Sequence, residues 1–134
     1  MITYKEFNVG LLDEVKEIYA SESWSAYLTD DEKLKRAFDN SLYTLGAFDG
    51  EKLVGFVRCV GDGEHILLVQ DLIVHPRYQK QKIGTTLFRT VWDKYADVRM
   101  FQVNTDIEDE VDNHFYQALG MKKLEEGCMV SYFR

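Results

Sequence analysis

A chain of 134 residues with 46% hydrophobic and 29% charged positions and a single Pro reads as one globular domain, long enough for a packed core and too short for a second. Its net charge of −7 argues against nonspecific nucleic-acid binding and against an anionic membrane surface. Cys59 and Cys128 lack metal-ligand or redox spacing and the histidines are scattered, so neither a metal site nor a disulfide framework is expected. Lys5 and Glu6 stand where a secretory signal needs an apolar run, and no stretch approaches about 18 apolar residues. The expected location is therefore cytoplasmic.

In chain order, Ile2 to Phe7 alternates and predicts a first strand, ended by Asn8 and Gly10. Leu11, Leu12, Val15, Ile18 and Tyr19 then mark one apolar helical face. Ser21 to Ser25 interrupts it, and Thr29 with Glu32 forms a capping box for a second helix with Leu34, Ala37 and Phe38 on its buried side. Trp24 and Tyr27 lie between these helices, aromatic residues in a polar loop that either close over the core or bind something. Leu42 to Phe48 and Leu53 to Val60 flank Asp49-Gly50, a strong hairpin signal, and Gly61-Asp62-Gly63 turns the chain into a third long strand, Ile66 to Val74. That strand is apolar almost throughout, which predicts a central strand covered on both faces. Gln70-Asp71 break the run: either a bulge redirects them or they face a cavity with something to bind.

The chain is organised around Gln70 to Tyr95, which reads as strand, anion-binding turn and helix. Ile83, Leu87, Val91 and Tyr95, with Phe88 and Trp92 beside them, give a helix ending near Ala96. Its front has no Ser, Thr, Asp or Asn cap, and it places Arg77, Lys80 and Lys82 at the positive end of the helix dipole. A phosphate there would accept the free N–H groups and neutralise the lysines together. Val98 to Val103 predicts another strand, and Thr105 with Glu108 a capping box for a helix carrying Val111, Phe115, Ala118 and Leu119 that stops at Gly120. Met121 to Phe133, with a turn at Glu126-Gly127, predicts one or two closing antiparallel strands. No P-loop, dinucleotide fingerprint or nucleophile elbow is present, so phosphoryl transfer, a Rossmann site and acyl-enzyme chemistry have no support.

The run Val74-His75-Pro76-Arg77-Tyr78-Gln79-Lys80-Gln81-Lys82-Ile83-Gly84 resembles the pyrophosphate loop of the GCN5-related N-acetyltransferases: Gln or Arg, two residues, Gly, one residue, Gly or Ala. Gln79 and Gly84 fit. Lys82 stands where the family usually has its first Gly, and either keeps the turn from approaching the pyrophosphate or adds a contact of its own. The order strand, two helices, three strands, helix, strand, helix, strand is also that of this fold. The resemblance implies an α/β (α+β) single domain over residues 1–134, a mixed and mostly antiparallel sheet of roughly six to seven strands flanked by about four helices. It implies acetyl-CoA as co-substrate. The pantetheine arm would pair with the backbone of Leu72, Ile73 and Val74, and the pyrophosphate would sit on Gln79, Lys80, Gln81, Lys82, Ile83, Gly84 and Thr85. Dimers are common in the family, so a homodimer is one expected assembly.

For chemistry the resemblance implies direct attack of an amine on the thioester. Asn113 to Met121 resembles the family's Phe-Tyr, three residues, Gly-Phe/Met segment, which assigns Tyr116 as the general acid for the departing thiolate. Asp109 and Asp112 depart from the Asn and Ala usual seven and four residues before that Tyr, which weakens a cofactor contact. Asp71, in an Asp-x-x-Val-x-Pro run, is implied to hold the ammonium and take its proton directly or through water; a structural acid at a strand bulge is the other reading. Arg58 either pairs with Asp71 or binds an acidic group of the substrate, and Trp24 and Tyr27 border the same acceptor cleft. His75 reads as surface. The expectation is N-acetylation of a primary amine on a small molecule; the competing class is a catalytically weak CoA-binding sensor or interaction module.

Overall fold

The computed structural model describes residues 1–134, whose contacts divide them into two compact units, 1–103 and 104–134. The first unit carries β1 (Ile2–Glu6), α1 (Leu12–Ser21), α2 (Asp31–Asp39), β2 (Tyr43–Asp49), β3 (Lys52–Gly61), β4 (Ile66–Val74), α3 (Ile83–Lys94) and β5 (Met100–Val103). They form one sheet in the order β1-β2-β3-β4-β5, antiparallel except for the parallel β4–β5 pair.

The middle strand explains the layering. Every residue of β3 from Leu53 to Cys59 is buried, which a strand achieves only when both faces are covered. α1 packs on β3 and β4, and α3 packs on β2, β3 and β4. The strand covered on both faces is therefore β3, not β4 as predicted from the apolar run. β4 instead alternates, burying Leu67, Val69, Asp71 and Ile73 and leaving the residues between them half-buried or exposed. Beneath α1 and α2, Val15, Ile18, Leu34 and Phe38 surround Phe56, whose ring takes edge contacts from Phe7, Tyr19 and Phe38 at centroid distances of 5.7, 5.4 and 6.0 Å.

Helix starts fall one to four residues later than the capping boxes predict. Asp30, not Thr29, caps α2 by accepting from the Lys33 N–H. In the second unit Asp109, not Thr105, caps α4 (Glu110–Ala118) by accepting from the Asp112 N–H. A carboxylate gains more from the helix dipole than a hydroxyl does, and in both segments an Asp lies closer to the first apolar turn.

The predicted closing strands are absent, so the sheet has five strands rather than six or seven. After α4 the chain winds into a single 3-10 turn, Leu124–Gly127, whose entry is fixed by the Lys123 N–H donating to Glu126 Oε1, and Cys128 leaves it in the left-handed region at φ 70°. Local bonds take up this backbone. The apolar residues beyond, Met129, Val130, Tyr132 and Phe133, are exposed.

Both predicted turns form. Asp49 pairs with Lys52 across Gly50-Glu51, and Gly50 sits at φ 63° with open space around it. In the β3–β4 turn Asp62 Oδ1 accepts from the N–H groups of Ile66, Glu64 and His65 at 3.0, 2.8 and 2.8 Å, and these bonds pull its carboxyl down from 3.8 to about 2. A folded pKa below the unfolded one means that this contribution is complete above pH 3.8 and is lost as the pH falls toward 2. Asp62→Ala should accordingly lower Tm at neutral pH, with the gap to wild type closing in melts taken from pH 4 downward.

Candidate functional site

The sheet opens where the site is expected. β5 pairs with Ile66 to Val69 of β4 and ends there, while β4 runs on to Val74 with no strand beside it on that edge. On its other edge Asp71 to Val74 stays paired with Arg58 to Gly55 of β3. Backbone groups alternate between the two edges. His75 N–H donates to Val54 C=O at 2.8 Å, so Ile73 also faces β3, and Leu72 and Val74 face the unpaired edge. Of the three residues predicted to pair with a pantetheine chain, Ile73 has its backbone groups committed to β3. The Val74 C=O is taken as well, by Gln79 Nε2 at 2.9 Å. Leu72 N–H and C=O and the Val74 N–H remain.

Past a 3-10 turn at Pro76–Tyr78 the chain enters α3 through two left-handed lysines, Lys80 at φ 65° and Lys82 at φ 63°. Each such residue costs about 1 kcal/mol because a Cβ crowds the following carbonyl. Lys82 is the N-cap of α3 and no side chain caps the helix, as predicted; the first bond of the helix is Thr86 N–H to Lys82 C=O, 3.0 Å. The N–H groups of Ile83, Gly84 and Thr85 thus precede the ladder. Lys80, Gln81 and Lys82 are exposed, and neither lysine is in an ion pair. A Cβ added at Gly84 would meet only Val74 Cγ2, at 3.9 Å, an ordinary contact. Packing does not require glycine there. The loop suits an anionic pyrophosphate by its free donors, its charge and its open backbone.

On the α1–α2 face lies the buried pair of Arg58 and Asp71, 5% and 1% exposed. Arg58 Nε and the Tyr19 hydroxyl both donate to Asp71 Oδ2 at 2.7 Å, and Arg58 Nη1 donates to Ser41 Oγ at 3.2 Å. Asp71 Oδ1 is buried with no partner. The β3–β4 register shifts between Arg58 and Cys59, so Gln70 is left out of the ladder; the bulge considered for Gln70-Asp71 is present. Gln70 Nε2 reaches the Tyr27 hydroxyl at 3.1 Å. Tyr27 and Trp24 stack on Tyr19 at centroid distances of 4.5 and 6.0 Å. Burial and the Asp71 charge hold the Tyr19 and Tyr27 phenols above their usual range, so both stay protonated. Arg58 is neutralised by Asp71, which removes its reading as a free cation waiting for an acidic substrate. Tyr19 was legible only as part of an apolar helix face; the available signal was a phenol there, whose hydroxyl needs a partner when buried.

Tyr116 belongs to the second unit, on α4, half-buried beside Phe115. Burial, then Asp112 and Asp109, raise its phenol. It is fully protonated at neutral pH and holds its proton firmly. Asp109 has a local job as the α4 cap, which accounts for an Asp at that position.

Lys82→Gly should stabilise the protein by about 1 kcal/mol in denaturant melts, because a left-handed N-cap has no use for a Cβ. Asp71→Asn should destabilise it by about 3–5 kcal/mol, since it strands the buried Arg58 charge, and its unfolding midpoint will show this before any activity is measured.

A sequence profile of the acetyltransferase (GNAT) family matches residues 11–121. An uncharacterised ycf52-like N-acetyltransferase of Prochlorococcus marinus is 30% identical over 126 residues, covering 91% of this chain and 68% of the relative. Among solved structures, a GNAT-family acetyltransferase from Streptococcus pneumoniae superposes with a TM-score of 0.86 at 34% identity, covering 100% of this chain and 97% of that one. The PaiA N-acetyltransferase of Thermoplasma acidophilum, solved in complex with coenzyme A, shares the fold with a TM-score of 0.74 at 22% identity, over 91% and 90% of the two chains. The profile match over most of the chain, the β4 edge left unpaired beyond Val69 and the uncapped start of α3 agree: this chain belongs to the acetyltransferase (GNAT) family.

Proposed function

We propose that this protein transfers an acetyl group from acetyl-CoA to the primary amine of a small molecule, by direct attack in a ternary complex. The observation that carries the reading is the end of β4–β5 pairing at Val69, immediately before an uncapped, cation-flanked helix start. Leu72 and the Val74 N–H would pair with the pantetheine amides, and the N–H groups of Ile83, Gly84 and Thr85 with Lys80 and Lys82 would take the pyrophosphate. The coenzyme brings the acyl group as a thioester with a stable thiolate leaving group. A neutral amine forms the C–N bond as the C–S bond breaks, so the protein must remove one proton from the amine and return one to sulfur.

Asp71 is proposed to handle the amine end. Its Oδ1 lacks a partner, and Tyr19, Tyr27 and Trp24 supply aromatic faces beside it. With Arg58 neutralised, the pair neither repels a cation nor recruits an anion, which favours amines on apolar bodies over amino acids. Tyr116 is proposed to return the proton. Moving a proton from a phenol near pKa 10 to a thiolate near 8.5 is uphill by about 2 kcal/mol in water, and burial of Tyr116 raises that cost. The donation therefore has to be concerted with C–S cleavage, while the sulfur is becoming negative. One observation favours a second reading, a CoA-binding module with little catalysis: Asp71 is sealed under Tyr19 and Arg58.

Acetyl-CoA should raise Tm, and free thiol should appear with arylalkylamines or polyamines faster than with amino acids or aminophosphonates. Gly84→Ala should keep or slightly raise the Tm of the free protein and shrink the acetyl-CoA gain. Tyr116→Phe should lower turnover roughly a hundredfold while keeping that gain, measured at saturating substrates. A Tm gain with no thiol release from any amine would establish the binding-module reading instead.

A further inference from the structure

Gln79, the glutamine of the loop motif, does not offer its side chain to a ligand. Its amide nitrogen donates to the Val74 C=O and to Glu22 Oε1, both at 2.9 Å. Both partners are acceptors only, so the amide orientation is forced, and an NH₂ group has no third hydrogen. What remains on that side chain is a carbonyl oxygen, which a pyrophosphate cannot use.

Glu22 is the C-cap of α1, and the segment from Glu22 to Tyr27 carries Trp24 and Tyr27 onto Tyr19. Gln79 thus tethers one end of this segment to the coenzyme loop, and Gln70 tethers the other end to the bulge of β4 through the Tyr27 hydroxyl. Between the tethers Ser23, at φ 60°, is the left-handed residue that ends α1, with the Ser23 N–H donating to Ala20 C=O at 3.1 Å and the Trp24 N–H to Tyr19 C=O at 2.9 Å. The segment is a strap bonded at one end to Gln79 and at the other to Gln70.

We propose that Gln79 and Glu22 are positioning residues that couple the coenzyme loop to the acceptor side: a coenzyme that fixes the loop backbone fixes the Gln79 amide, and through Glu22 the strap bearing Trp24 and Tyr27. This rests on the transferase reading for the identity of the acceptor pocket, but not for its test. The intact chain is labelled with 5-fluorotryptophan and the Trp24 resonance is assigned by its persistence in Trp92→Phe. Coenzyme A titrated into the protein should move the Trp24 resonance and raise Tm. In Gln79→Ala and in Glu22→Ala the Tm gain should persist and the Trp24 response should be lost, while Glu22→Gln, whose amide oxygen still accepts, should restore it. With an acceptor in hand, the Ala variants should raise its KM about tenfold. A Trp24 response unchanged in the Ala variants, or a wild-type Tm gain without one, overturns the coupling and leaves the transferase reading standing. Loss of the Tm gain in Gln79→Ala would make that side chain a coenzyme ligand and overturn the coupling as well. No Tm gain in wild type would overturn both readings together.

Discussion

The arrangement depends on one carboxylate. Asp71 is 1% exposed, with Arg58 and Tyr19 both donating to the same oxygen, Oδ2. A guanidinium and a carboxylate removed from water are tolerable only when each is held in good geometry, and these two meet at 2.7 Å. The pair sits where the β3–β4 register slips, so forming it turns Gln70 out of the ladder toward Tyr27. α1 is bound to it by the Tyr19 hydroxyl, and the strap after α1 is bound by stacking on the Tyr19 ring. The helix layer, the bulge and the aromatic wall therefore share one electrostatic anchor. Concentrating both donors on Oδ2 leaves Oδ1 buried without a partner.

β4 divides its backbone and its side chains between different tasks. Its inward side chains hold the core and the ion pair, its β3 edge carries the ladder, and its other edge loses its partner after Val69. α3 begins only a short turn later, and its position on the opposite face of the sheet is secured by Ile83, Leu87, Phe88 and Val91, all buried. Each such side chain contributes about 2 kcal/mol of burial, enough to outweigh about 1 kcal/mol for each left-handed lysine at the entrance. The strain at Lys80 and Lys82 is thus carried by packing some distance away, and the loop is free to present backbone donors to an anion.

Much of this was written locally. The periodicity of α1 and α3, the Asp49-Gly50 hairpin, the Asp62 turn and the missing cap at Lys82 are each set by residues within one or two turns of the chain, and all appear in the structure. So did the family pattern around Gln79 and Gly84. Local signals of equal strength competed elsewhere: Asp30 and Asp109 displaced Thr29 and Thr105 as caps, because a nearby carboxylate suits the helix dipole better. The tail was misread for a related reason. Met121 to Phe133, with a turn at Glu126-Gly127, predicts one or two closing strands, but a strand exists only with a partner to complete its hydrogen bonds, and the 3-10 turn at Leu124–Gly127 completes them at home.

What the sequence by itself determined was the order and type of the elements up to β5, the family, and the uncapped, cation-flanked start of α3. The tertiary structure alone decided which candidate side chains meet. Arg58 was open to two readings until the β3–β4 register put it opposite Asp71, and Leu72, Ile73 and Val74 were equivalent until that register assigned Ile73 to β3 and left Leu72 and the Val74 N–H at the open edge. The Gln79 bond to Glu22 spans two elements far apart in the chain, and nothing near either residue announces it. The reason is physical: helix periodicity and capping depend on neighbours in sequence, whereas the partner of a buried charge or amide depends on strand register and helix docking, which the whole packed sheet sets at once.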